Sequence, residues 1–385
     1  MKQIEAQPNL FVVDTPHQLL NAIEAAHSLQ LKNNHLLVLR PKSSGQDRFV
    51  QLIKKEDWAS VGFPSPFIDS KLWVPKLFGP VAGRWYHRYL HLQRMHTLAQ
   101  LAAKFRHVDK LFLGHYFPEE KPFMRHIANT VTYNMLYLLD DGTDTVMINE
   151  RRRKLESNDR KAPIAKSTSR TSVWKTIEMS LRAKYWNWHL AEAPRVTFFT
   201  VYDLDVRNGD RLLRNDYSYL RSLAPRERIY MPDTVIFLGQ CIADGYFAMD
   251  LHSDFLSTVR DYFADKKLIY VAHPRESASC IDQIREQPGW EIWRSFSVIE
   301  QDLIIRGIKP KIVAGFVSSA LITLAHLMDS DVEIVSFYVA PKHWAGWRED
   351  AVKVYNYLRT KEQRRVTIVP LSGKENECRP DLSSD

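Results

Sequence analysis

Short apolar runs rich in β-branched and aromatic residues recur along this chain, each followed by a longer amphipathic stretch, and this alternation restricts the fold more than any other feature. A run of about four to six apolar residues suits a strand buried on both faces, and the stretch after it suits the crossover helix that starts a parallel neighbour. The candidate strands of the first half are Leu10–Val13, His35–Leu39, Leu111–Leu113, Asn134–Leu139 and Val196–Val201. Those of the second half are Val235–Leu238, Leu268–Ala272, Glu291–Trp293, Ile312–Ala314, Val332–Ser336 and Val366–Val369. Helix-like segments lie between them at Gln18–Ser28, Met95–Phe105, Phe247–Phe263, Ile299–Ile305 and Ser319–Met328. Two such series predict an α/β protein of two Rossmann-like units with mainly parallel sheets.

A length of 385 residues accommodates two units of this kind. The prolines and charges of Ala224–Asp233 precede a new buried strand, so the linker is expected at Arg228–Asp233. This gives an N-terminal unit over residues 1–230, a C-terminal unit over 231–372 and a disordered tail over 373–385. Residues 149–171 are polar and basic and read as a mobile loop inside the first unit. The three cysteines, Cys241, Cys280 and Cys378, form no CxxC pair, so neither a disulfide framework nor a thiolate zinc site is expected, and a cytoplasmic location fits. No run approaches the roughly 18 uninterrupted apolar residues of a membrane span, so any membrane contact would be peripheral.

The chain carries 53 Lys and Arg against 45 Asp and Glu, a net charge of +8. Eleven basic and three acidic residues between Arg151 and Lys184 account for an excess as large as that of the whole chain. With Trp174, Tyr185, Trp186 and Trp188 in and beside it, this segment reads as a surface for anionic lipid, as a nucleic-acid surface, or simply as a solvated loop and amphipathic helix.

The absence of GxxxxGK[ST] disfavours a P-loop NTPase, and the absence of GxGxxG after any candidate strand disfavours a dinucleotide-binding oxidoreductase. In open α/β sheets ligands bind beyond the carboxyl ends of the strands, and four strand ends carry polar residues worth weighing. Asp140-Asp141-Gly142 follows the Asn134–Leu139 run and can present a general base, or form an ordinary turn. His273-Pro274-Arg275 follows Leu268–Ala272; the imidazole can hold or protonate a departing phosphate, with the proline suited to a helix start, or the His-Pro can be structural. Gly315-Phe316-Val317-Ser318-Ser319 leads into a helix whose hydroxyls and free amides suit an anion, or supplies a plain serine cap. Asp14-Thr15-Pro16-His17-Gln18 fits an N-cap in which a side chain reaches back. Asp203-Leu204-Asp205 has the form of a metal-binding acidic pair but reads as a polar turn, and His87 and His91 share a helix face without the further ligands a metal needs.

Taken together, Leu138-Leu139-Asp140-Asp141-Gly142-Thr143, Tyr270-Val271-Ala272-His273-Pro274-Arg275, Val298-Ile299-Glu300 and Phe316-Val317-Ser318-Ser319-Ala320-Leu321 resemble the bacterial sialyltransferases. Residues 15–24 and Phe237-Leu238-Gly239-Gln240 add to a likeness that is strongest to the lipooligosaccharide sialyltransferases of glycosyltransferase family 52, with the bacterial polysialyltransferases as near relatives. The resemblance implies a GT-B fold, in which two Rossmann-like domains face one central cleft, and inverting transfer of sialic acid or a related nonulosonic acid from a CMP donor to a hydroxyl of a cell-surface glycan. It implies Asp140 as the general base, with Asp141 as substitute and Asp244 as rival. His273, beside Pro274, would meet the leaving phosphate, Ser318 and Ser319 would bind it, Glu300 would hold the ribose hydroxyls, and Gly239 and Gln240 would line the donor side. The expected partners are the CMP-sugar and a lipooligosaccharide or other oligosaccharide acceptor, with no cofactor, metal or nucleic acid; a homodimer and peripheral contact with an anionic membrane through 151–184 complete the picture. A capping enzyme would stop at one addition, whereas a polysialyltransferase would extend an acidic polymer.

Overall fold

The computed structural model describes residues 7–39, 52–53, 56, 58–64, 89–90, 92–157, 184–241, 246–295, 298–344 and 348–371. His87, His91, Trp174, Asp244, Cys378, the tail 373–385 and most of the basic stretch lie outside the described residues. The chain divides into two compact units, Met1–Asn215 and Asp216–Asp385.

The first unit runs β1 (Asn9–Val13), α1 (Pro16–Ser28), β2 (Asn34–Val38), β3 (Ser60–Gly62), α2 (residues 92–103), β4 (His107–Leu113), α3 (Pro122–Thr130), β5 (Thr132–Leu139), α4 (Asp144–Ser157), β6 (Thr197–Thr200) and β7 (Arg211–Arg214). Its seven strands form one parallel sheet in the order β3-β2-β1-β4-β5-β6-β7. Every residue of β1 is buried, which is why Leu10–Val13 reads as an unbroken apolar run rather than an alternation. The register sets Phe11 against Phe112 and Phe112 against Tyr137, and the three rings stack with centroids 4.2 and 4.6 Å apart. Such pairs contribute about 0.5–1.5 kcal/mol each beyond their burial, so this ladder fixes the alignment of the three central strands.

The second unit runs α5 (Ser218–Ser222), β8 (Ile229–Leu238), α6 (Met249–Tyr262), β9 (Lys267–Val271), α7 (Ala278–Glu286), β10 (Trp290–Trp293), α8 (Ile299–Ile305), β11 (Ile308–Gly315), α9 (Ser319–Leu327), β12 (Glu333–Tyr338), α10 (Arg348–Lys361) and β13 (Val366–Pro370). Its six strands are again all parallel, ordered β10-β9-β8-β11-β12-β13. Phe237 sits at its centre among Tyr270, Trp290, Phe316 and Phe337.

Two expectations of organisation are corrected. The division falls after Asn215, and Arg228–Asp233 is no linker, because β8 begins at Ile229 and pairs there with Ile308 of β11. Nor is the start of 149–171 a loop, because residues 149–157 complete α4. In this helix Thr145, Val146, Ile148, Asn149 and Arg152 are buried, a face filled mostly by polar side chains and so concealed from a reading of hydrophobicity. Among the described residues no helix is long and apolar enough to cross a membrane.

Candidate functional site

Each sheet reverses its strand order once, between β1 and β4 in the first unit and between β8 and β11 in the second. Parallel sheets place ligands beyond the carboxyl ends of the strands at such points. Both units carry polar residues there.

In the first unit the residues after β1, β4 and β5 form one hydrogen-bonded group. Thr15 caps α1 by accepting the Gln18 N–H at 3.2 Å, and Pro16 occupies the first helical turn. The Gln18 side chain does reach back, to the Asp14 N–H at 2.7 Å, one residue earlier than a standard capping box. Its carbonyl oxygen fills the space beside Gly114, where an added Cβ would lie 2.2 Å from it, so a side chain at 114 would drive Gln18 out. Asp14 pairs with Lys121 at the start of α3.

The two acids after β5 fare differently. Asp140 is wholly buried: its carboxylate accepts the Val201 N–H at 2.8 Å and its backbone carbonyl accepts Asn21 Nδ2 at 3.2 Å. Burial pushes its carboxyl up to about 6, against hydrogen bonds from Thr200 and Val201. Of the two acids, Asp140 is held between β5 and the end of β6, so Asp141, the expected substitute, is the one left beside the strand ends. Asp141 points the other way, its side chain 16% exposed, and its Oδ2 lies 2.5 Å from His115 Nδ1. His115, which no sequence argument named, is itself almost completely buried and has Glu120 3.8 Å from its Nε2. It lies two residues beyond β4, so the rule that singled out the other strand ends would have found it.

Burial opposes the Asp141 charge, but the hydrogen bond and charge of His115, with Gln18 and Lys121, hold its carboxyl below the ordinary range. Burial likewise opposes protonation of His115, and Asp141, Glu120 and Asp144 outweigh it, so its pKa is raised. Both shifts favour an imidazolium beside a carboxylate. The share of stability carried by His115 is complete below its ordinary 6.5 and is lost as pH rises through the raised value; that of Asp141 is present above 3.8 and is lost as pH falls through the lowered value. The melting temperature is expected to fall from pH 6 to pH 9 in the wild type, and less steeply in Asp141→Asn; equal slopes would remove the ion pair.

His115, Asp141 and Asp144 also bring one ligand atom each within 4.8 Å of one another, a set that a cation could use. A cation there would compete with the hydrogen bond between the first two. Asp203 and Asp205, both exposed, join no such cluster among the described residues.

In the second unit three strand ends carry the expected residues. Gln240, after β8, is buried and donates from Nε2 to the Val317 carbonyl at 3.3 Å, while Ser336 donates to the Phe316 carbonyl at 2.7 Å, so the loop after β11 is held from both sides. That loop delivers Ser318 as the N-cap of α9 in an extended conformation, yet its hydroxyl makes no cap hydrogen bond. The plain-cap reading therefore fails, and the half-buried hydroxyls of Ser318 and Ser319 stand at a nine-residue helix whose first amides suit an anion.

His273 is half-buried, and Pro274 takes the second position of a β-turn closed by Glu276 N–H to the His273 carbonyl at 3.0 Å. The proline is exposed and does not start a helix, as had been expected; α7 begins at Ala278 under a Ser277 cap. The Arg275 N–H donates to His273 Nδ1 at 3.3 Å, which assigns the ring proton of the neutral imidazole to Nε2. Glu300 lies in the first turn of α8 at 3% exposure, so it is an interior acid rather than a solvent-facing one.

The basic run is partly absorbed by the fold. Arg152 is buried between Asp210 and Glu192, and Arg151 pairs with Glu119 at 2.9 Å. Arg152 is thereby withdrawn from any lipid or nucleic-acid surface, while Arg151 stays partly exposed.

Neither a protein-family model nor a curated protein sequence matches the chain. Solved structures do. A protein from Listeria monocytogenes described as a UDP-N-acetylglucosamine 2-epimerase superposes with a TM-score of 0.52 at 8% identity, over 94% of this chain and 90% of that one. A UDP-glucosyltransferase from Polygonum tinctorium gives 0.47 at 11% identity, over 96% and 86%, and a heptosyltransferase from E. coli gives 0.36 at 13%, over 91% and 100%. With two parallel sheets, each in Rossmann order, the chain has the two-domain α/β architecture called GT-B.

Proposed function

We propose that the protein is an inverting, metal-independent sialyltransferase that moves sialic acid, or a related nonulosonic acid, from its CMP donor to a hydroxyl of a cell-surface glycan such as lipooligosaccharide. One observation carries this reading: the acid, the imidazole and the paired hydroxyls of the resemblance all stand beyond carboxyl ends of strands, after β5, β9 and β11. In the first unit Asp141 takes the acceptor proton as the hydroxyl oxygen bonds to the anomeric carbon, while its other oxygen stays on His115. The bond from that carbon to the phosphate oxygen breaks on the opposite face, which inverts the centre. In the second unit His273 donates from Nε2 to the departing CMP phosphate, and Ser318, Ser319 and the first amides of α9 share its charge. A monophosphate leaving group needs no cation where such donors exist. Glu300 as the ribose-binding acid rests on the resemblance alone.

Melting the protein with CMP, UMP, ADP and GDP in turn tests the donor. A rise with CMP alone is expected, because a ligand at about 100 times its Kd adds about 2.7 kcal/mol to the native state. A rise with UMP and none with CMP would overturn the reading in favour of a uridine-nucleotide donor, the nucleotide named for the epimerase neighbour. Transfer from CMP-sialic acid to a galactoside is expected to persist in EDTA; loss restored by added metal would assign a cation to His115, Asp141 and Asp144.

A further inference from the structure

Glu276 is an acid of the second unit that neither its place at a strand end nor the resemblance singles out. It is 8% exposed, in the turn after β9, and both of its oxygens are engaged. Oε2 accepts the His273 N–H at 2.6 Å, and Oε1 accepts the Tyr270 hydroxyl at 2.6 Å. The Tyr270 ring passes against Gly239 at the end of β8, where an added Cβ would lie 2.7 Å from the ring and its oxygen. Only glycine admits the ring there, so the carboxylate links two strand ends: through Tyr270 it is braced on β8, and through the His273 amide it holds the turn.

The geometry points to Glu276 as the positioning residue of the His273 turn, its carboxylate braced by Tyr270 so that the imidazole is held in one place for an arriving phosphate. This rests on the reading of the second unit as the nucleotide-binding one. A neutral side chain of the same shape would serve less well, because an ionised acceptor makes stronger bonds than an amide, and an amide nitrogen cannot accept at all. Burial pushes the Glu276 carboxyl up to about 7, against bonds from Tyr270 and His273, and pushes the Tyr270 hydroxyl well above its ordinary value, so the tyrosine stays a donor. Cys280, 3.9 Å from Oε1, and Arg294 are the other titratable groups that act on this carboxyl.

The test compares wild type, Glu276→Gln, His273→Ala and their double variant by calorimetric titration with CMP, and follows amide exchange in the peptide Val271–Cys280. At about pH 8.5, above the raised Glu276 value so that the carboxylate is ionised, Glu276→Gln is expected to bind CMP about tenfold more weakly and to exchange the His273 amide faster, because one of the two bonds loses its acceptor. The double variant is expected to bind no more weakly than His273→Ala, since both act through one imidazole. Wild-type affinity and exchange in Glu276→Gln, or losses that add in the double variant, would overturn the proposal. If the wild type binds no CMP, the nucleotide reading falls and exchange at His273 alone decides the positioning role. Should Glu276→Gln fail to fold, Tyr270→Phe removes only the brace, and unchanged exchange at His273 in that variant would overturn the proposal equally.

Discussion

Asp141→Asn is expected to lower turnover by about 10²–10⁴-fold, the range for removing a general base, while CMP binding stays within a few-fold of wild type. The substitution keeps the shape of the side chain and leaves an amide that cannot take a proton from the acceptor hydroxyl. The neighbouring Asp140→Asn is expected to behave in the opposite manner, with turnover near wild type and a melting temperature at pH 8 no lower than wild type. Burial raises the Asp140 carboxyl to about 6 from its ordinary 3.8, so its ionisation costs stability as pH rises through that window, and an amide removes the cost. The amide oxygen can still accept from Val201, and the Thr200 and Thr145 hydroxyls can turn to accept from its nitrogen. Steady-state rates with CMP-sialic acid and calorimetric CMP titrations on the two variants check both statements. Collapse of turnover in a folded Asp140→Asn would return the base to Asp140, and full turnover in both would move it to Asp244.

The contrast between these adjacent acids also marks where the sequence stops being legible. The apolar stretches were readable, and β1, β2, β5, β9 and β12 fall within two residues of their expected limits; the central β4, β8 and β11 begin at His107, Ile229 and Ile308, well before the expected Leu111, Val235 and Ile312, because polar residues such as Asp109, Asp233 and Lys309 interrupt their first halves. The strands that escaped are β3 and β7, both at sheet edges, where backbone pairing on one side suffices and Arg211-Leu212-Leu213-Arg214 shows no alternation. Strand ends were legible as places, yet which of two neighbouring acids faces outward depends on a half-turn of backbone that composition does not encode. Asp141 is distinguished from Asp140 only by His115, 26 positions away in sequence and reached through the pairing of β4 with β5. Glu276 was hidden in the same way, its role visible only once Tyr270 and Gly239 were seen to touch.

The basic run supplies the second large effect. Arg152→Met is expected to cost about 3–5 kcal/mol, the range for stranding a buried charge, and to lower the melting temperature of the first unit by roughly 6–20 °C. Arg152 is 1% exposed; its Nε and Nη2 each donate to Asp210 at 2.8 Å, a bidentate pair, while Nη2 also reaches the Ala193 carbonyl at 3.1 Å and Nη1 bonds Glu192. Asp210 in turn accepts the Val196 N–H at 3.0 Å, and Glu192 accepts Arg125 at 2.6 Å, whose guanidinium lies 3.9 Å over the Tyr116 ring, one residue beyond His115. One side chain on α4 therefore anchors the entry to β6 and the loop that carries His115. Arg207, 3.2 Å from Asp210, compensates only in part. Arg152→Met/Asp210→Leu is expected to lose less than the sum of its single variants, because the second substitution removes the charge that the first strands. Arg151→Ala, which breaks a half-exposed pair with Glu119, is expected to cost under about 1 kcal/mol. A drop below about 2 °C for Arg152→Met would mean that the network holds no fold energy, and would return Arg152 to the count of cations available for an anionic surface.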